Sequence, residues 1–193
     1  MTTLLEGLVF GIVLGFSLAI PPGPMNAWIA AVAARSYRAG VVTGLGAMTA
    51  DGILGLAVYL LARVADLHAV VRFVYLLGAG VMGFLGARLL REVGPVSSDL
   101  PDERTFARAV AIGLSNPFQV VWWLTAGVAF AYLGGAVLLL GLFGAIVVWV
   151  VTFPRLVHAG ARRSPSFERG VRYVSAGILL AFATYFVVLF SLG

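Results

Sequence analysis

Cysteine and lysine are both absent from the 193 residues, and charge of either sign is scarce. Without cysteine there is no disulfide framework, no thiolate metal site and no thiol-redox chemistry. All 13 basic residues are therefore arginine, which reads as genomic bias rather than function. Charged residues make up only 11% of the chain, whereas an ordinary soluble domain carries about 25%. With 61% apolar residues and a mean hydropathy of +1.03, the chain cannot cover a globule of its size with polar groups. A soluble enzyme is thereby set aside, and so is disorder, which needs low hydrophobicity and high charge. The net charge of +5 does not argue for nucleic acid, because the arginines sit in short separate clusters between apolar runs.

What is present is a series of long apolar runs. A spanning helix takes about 20 residues at 1.5 Å rise each. Six segments qualify: 4–34, 39–62, 69–90, 106–132, 134–157 and 171–192. They are too continuously apolar for the alternating strands of a barrel, so helices are expected. Residues 1–7 carry Glu6 and no basic cluster, and the first run outlasts a signal peptide. It is therefore read as a membrane span. The fold class predicted is all-α, a polytopic membrane protein of six transmembrane helices, with nothing left over for a soluble domain. The longest polar stretch, 92–104, divides the chain in the middle.

Arginine placement predicts orientation. The 1–2, 3–4 and 5–6 loops and their flanks hold 11 of the arginines, and the 2–3 loop holds Arg63 and Arg72. The first set is placed in the cytoplasm of a cell (plasma) membrane and both termini outside. The halves 1–91 and 105–193 also look related. Val71-Arg72-Phe73-Val74 opens the third span and Val171-Arg172-Tyr173-Val174 the sixth, and Pro24 with Trp28 matches Pro117 with Trp122. Three helices per half is an odd number, so two such halves must be inverted in the membrane, as in many secondary transporters.

The residues that could carry chemistry interrupt these runs. Ile20-Pro21-Pro22-Gly23-Pro24-Met25-Asn26 stops an α-helix inside the first span. It should free the carbonyls of Ser17, Leu18 and Ile20, which survive at membrane depth only where protein or a water-lined cavity meets them. A half-helix restarting at Pro24 presents a partially positive N-terminus suited to a carboxylate. Ser115-Asn116-Pro117 breaks the fourth span in the corresponding place, with Asn116 as a cap and Gln119 and Thr125 polar on the turns that follow. Asp51 lies near the centre of the second span, where an acid costs about 2.5–3.5 kcal/mol on insertion scales. It should face the interior, where it can hold a proton, pair with a substrate ammonium, or simply bond Thr43, Thr49 or another helix. His68 and His158 flank membrane ends, Arg88 is expected to snorkel, and Trp122, Trp123 and Trp149 are read as packing. The glycines from Gly40 to Gly55 and from Gly78 to Gly86 are read as sites of close helix approach. No nucleophile elbow, P-loop or metal-ligand cluster occurs, so neither an enzyme nor a cofactor is expected, and any uphill transport must draw on an ion gradient or a partner.

At these residues the sequence resembles the lysine exporter (LysE/RhtB) family of small six-helix amino-acid exporters. The likeness rests on Pro22-Gly23-Pro24 followed by Asn26, on Tyr37-Arg38-Ala39-Gly40, on the stretch from Gly46 to Asp51, and on Asn116-Pro117. It departs after Pro24, at Met25 and Trp28, and after Pro117, where Phe118-Gln119 replaces a lysine found in many relatives. The resemblance implies efflux of amino acids or related zwitterionic solutes in exchange for protons or another ion. The expected binding residues are Pro22, Gly23, Pro24, Asn26, Asp51, Asn116, Pro117 and Gln119, with Asp51 coupling protons. A metal-ion exporter of the same superfamily, with Asp51 and the freed carbonyls as oxygen ligands, is the alternative. The partners expected are a small-molecule substrate, protons and the lipid bilayer, with a homo-oligomer left open and no nucleic acid.

Overall fold

Apolar runs of this length satisfy their backbone in lipid as helices, and every regular element among the described residues of the computed structural model is one. The structure describes residues 4–21, 23–61, 67–91, 103–124 and 136–192. Eight helices occur among them: α1 (Leu4–Ala19), α2 (Pro24–Arg35), α3 (Tyr37–Leu61), α4 (Leu67–Arg91), α5 (Glu103–Leu114), α6 (Pro117–Trp122), α7 (Ala136–Arg163) and α8 (Pro165–Leu192). Three of them, α3, α7 and α8, are long and apolar enough to cross a membrane, and α1 with α2 makes a fourth where that bent pair counts as one span. Large apolar side chains such as Leu56, Phe84, Leu140 and Leu156 stand exposed on their outer faces. In water that surface would be a liability, and in lipid it is the normal exterior. The protein is a membrane protein.

The expected first span is two helices set at 75° to each other, with Pro24 at the first position of the second. Pro117 likewise opens α6 after α5 ends at Leu114. Hydropathy runs the fourth span on to residue 132, but the part beyond 124, including Thr125, lies outside the described residues, as does Pro22. Elsewhere the helices overrun the hydropathy limits, most of all α7 and α8, which turn on the single residue Ser164. Its hydroxyl accepts the Phe167 N–H at 3.3 Å and so caps α8, and Ser36 caps α3 through the Ala39 N–H at the same distance.

The packing falls into crossed pairs. α1 lies along α7, α5 along α3, and α4 along α8. Between α4 and α8 the contact is a core of Met82, Leu85, Leu89, Ala176, Leu179 and Phe186. The other two pairs close on glycine. A side chain at Gly46 of α3 would strike Phe106, Ala109 and Val110 of α5, and one at Gly141 of α7 would strike Leu8, Gly11 and Ile12 of α1. Each glycine thus seats against positions i, i+3 and i+4 of the helix that precedes a proline break. Not every glycine is used this way: Gly80 meets nothing, and Gly52 and Gly83 have only ordinary contact distance around them.

The atoms facing Gly141 are backbone of α1, which cannot swing aside for a side chain. Gly141→Leu should therefore part α1 from α7 and cost about 1–3 kcal/mol. Gly144→Leu, at a position with open space around it, should cost far less. Thermal unfolding of the two variants in detergent micelles compares them directly.

Candidate functional site

The two helix breaks meet the middle of α3. Asn116 precedes Pro117 in extended backbone, and its side-chain oxygen accepts the Phe118 N–H at 3.1 Å, which caps α6. Its amide group donates in turn to Gln119 Oε1 at 3.1 Å. Gln119 then points its own NH2 across to α3, donating to Asp51 Oδ1 at 2.9 Å and, more weakly, to the Ala47 carbonyl at 3.5 Å. Trp123 Nε1 donates to the same Asp51 oxygen at 3.0 Å. Asn116, Gln119 and Trp123 fall at i, i+3 and i+7, so one face of a short helix delivers the whole chain of donors. At the turn that ends it the Trp123 N–H is shared between the carbonyls of Gln119 and Val120.

Asp51 is 5% exposed, and Asn116, Gln119 and Trp123 are buried with it. An acid there is tolerable because donors replace the water it lost. Both donors fall on Oδ1, and among the described residues Oδ2 accepts no hydrogen bond. The two threonines that the sequence offers Asp51 as partners are occupied elsewhere: Thr43 donates to the Ala39 carbonyl and Thr49 to that of Leu45. The room for Trp123 comes from Gly55, one turn beyond Asp51 on the same face of α3. A Cβ there would lie 2.7 Å from the indole ring.

The first break is held differently. Asn26 donates through Nδ2 to the carbonyls of Ala19 and Pro21 and accepts the Trp149 N–H of α7 on Oδ1 at 3.2 Å. The freed carbonyls met by a side chain are therefore those of Ala19 and Pro21, not the trio expected at Ser17, Leu18 and Ile20. Reaching back from α2, Asn26 bonds the two carbonyls nearest the turn. Gly23, which precedes α2, makes no side-chain cap. Pro24 has no N–H, and among the described residues the helix's first backbone bond is Ala27 N to Gly23 O, one turn in, as at any helix start.

A cavity of about 50 Å³ joins these parts. Gly23, Pro24 and Asn26 line one side, Asp51, Asn116 and Gln119 another, and Trp149 and Phe118 close on it. Of the eight residues expected at the site, Gly23, Pro24, Asn26, Asp51, Asn116 and Gln119 come together here. Pro117 lies just behind, its ring packed where Gly78 of α4 has no side chain, and Pro22 is outside the described residues. Trp123 and Trp149, which read as packing in the sequence, are hydrogen-bonding members of the site. The helical spacing from Asn116 singles out Trp123, whereas nothing in the sequence ties Trp149 to Asn26. His158, expected at a membrane end, sits with Nδ1 3.0 Å from the Ala33 carbonyl of α2, remote in sequence and outside the cavity lining.

Trp123→Phe keeps the ring and deletes one of the two donors to Asp51. It should destabilise the protein by about 1–3 kcal/mol, the cost of a buried charged group losing a hydrogen bond. The same change in an Asp51→Leu background should cost less by at least about 0.5 kcal/mol. Unfolding of the four proteins in micelles gives that coupling.

Comparison with known proteins agrees with this architecture. The family of LysE type translocators matches residues 16–189. A protein of Bacillus subtilis (strain 168) named "Putative amino acid efflux protein YcgF" is 33% identical over 201 residues, covering 91% of this chain and 92% of its own. No solved structure matches. The broken helices, the acid between them and the family match lead to one conclusion: the chain belongs to the LysE type translocators.

Proposed function

We propose that the protein is a secondary transporter exporting amino acids or closely related zwitterions across the plasma membrane in exchange for protons. The observation that carries this reading is the cavity between the two breaks, lined by Asp51 and by the start of α2, which has no side-chain cap. The first suits an ammonium. The second offers backbone N–H groups and the positive end of a helix dipole to a carboxylate. Asp51 then serves either a proton or the substrate ammonium, so release of one accompanies binding of the other. The amino-acid efflux named for the Bacillus subtilis relative supports the same direction and substrate class.

The metal-ion alternative fits this geometry less well. Asp51 is the one carboxylate among the described lining residues, and no group of three His, Cys, Asp or Glu that could hold a metal ion occurs among the described residues, which is few oxygen ligands for a divalent ion.

The scaffold for such a cycle is six spans in two inverted halves, 1–91 and 105–193, joined by the polar segment 92–104, with both termini outside. The crossed packing supports it. Exchanging the halves carries α3 on α5 into α7 on α1, and it carries Gly46 against Phe106, Ala109 and Val110 into Gly141 against Leu8, Gly11 and Ile12. Helices related in this way can rock about the contact of α4 with α8, alternating the side to which the cavity opens.

Asp51→Asn keeps the two donors' geometry but cannot carry a proton. In proteoliposomes it should lose the dependence of amino-acid flux on an imposed pH gradient, with gradient-driven export reduced at least tenfold. Flux that still follows the gradient would remove Asp51 from coupling.

A further inference from the structure

Resting on that reading, we propose that the cavity selects small amino acids with neutral side chains, and that Met48 sets the upper limit on side-chain size. Three observations converge on it.

The first is charge. Eight acids occur in the whole sequence, and of those the structure describes, Glu6, Glu103 and Glu168 lie in the first turns of α1, α5 and α8. Among the described residues Asp51 is the one acid of the cavity lining, and no arginine or histidine joins it there. A single carboxylate satisfies a single ammonium. The second cation of a lysine or arginine side chain would be left without a counter-charge, and an acidic side chain would lie near Asp51 without a base. In surroundings this apolar either mismatch is costly.

The second is room. About 10–15 Å³ of such space holds one water, so the cavity's 50 Å³ takes a few water-sized groups. That is the bulk of an ammonium, a carboxylate and a short side chain.

The third is where a side chain would go. With the ammonium on Asp51 and the carboxylate at the start of α2, the side chain is left to an apolar lining that includes Leu18, Ile29, Met48, Ile146 and Val150 beside Gly44 and Ala47. Met48 stands three residues before Asp51 on the same face of α3, and it is half-buried, with an unbranched side chain reaching into this space. Val150 is less adjustable, because its methyl groups already lie where a Cβ on Gly44 would be.

The test is counterflow in proteoliposomes preloaded with unlabelled alanine, reading uptake of labelled alanine, serine, leucine, lysine and glutamate. Alanine and serine should exchange at least tenfold faster than lysine or glutamate, with leucine slow. Met48→Ala should raise the leucine-to-alanine ratio at least fivefold and leave lysine and glutamate excluded. Lysine or glutamate exchanging as fast as alanine would overturn the charge argument while leaving amino-acid transport in place. A leucine-to-alanine ratio unmoved in folded Met48→Ala would overturn the role of Met48. Absence of exchange for every amino acid, with purified protein folded in the vesicles, would instead overturn the transport reading on which the selectivity rests.

Discussion

One carboxylate in an apolar interior governs this structure. Asp51 has exchanged water for two N–H donors, and both come from a helix that begins only because Pro117 ended the one before it. Had the fourth span run unbroken, the turn after Leu114 would have spent its amides on its own carbonyls. Asn116 would not be free to cap, and Gln119 would have no oriented partner. The break thus costs one helix its continuity and returns a polar face at the depth where an acid needs it. Each bond in the series donates in the same sense, from Phe118 N–H through Asn116 and Gln119 to Asp51, so each polarises the next in a medium of low dielectric.

The close approaches elsewhere serve this arrangement. Gly55 admits the indole of Trp123, Gly78 admits the ring of Pro117, and Gly113 meets Ala50 of α3 beside the Gln119 amide. With hydrophobic burial offering little drive between helices in lipid, such small-residue contacts are the means of bringing polar groups on separate helices within bonding distance. The glycines are spaced irregularly along α3 because they follow the objects they accommodate, a valine at Gly44, an alanine at Gly46 and an indole at Gly55.

Both breaks and the acid are legible in the sequence, since proline inside an apolar run and a carboxylate at its centre contradict their surroundings. Asn116 and Gln119 are legible for the same reason. Trp123 and Trp149 are not. An indole is apolar enough to belong in any membrane helix, and its single N–H announces itself only when the acceptor is known. The acceptor of Trp149 is 123 residues away in the chain. The job of Asn26 is equally hidden: it reads as a substrate contact, yet its amide group is committed to the Ala19 and Pro21 carbonyls. Hydropathy finds the long helices but misplaces their ends, because it does not register caps such as Ser36 and Ser164, and it draws α1 and α2 as one span where the chain turns through 75°.

The two halves also divide the labour unequally, and that asymmetry gives the cavity its polarity. In the second half Asn116 answers an N–H group, that of Phe118, and its amide carries the hydrogen-bond series on through Gln119 to Asp51. In the first half Asn26 answers carbonyls and leaves the start of α2 without a side-chain cap. The same residue type beside the same kind of break thus bonds opposite groups, and in the reading proposed above Asp51 is left to meet a cation and the start of α2 an anion. A ligand that completes both must carry a donor at one end and an acceptor at the other. An ammonium and a carboxylate on one carbon meet that demand within a cavity this small.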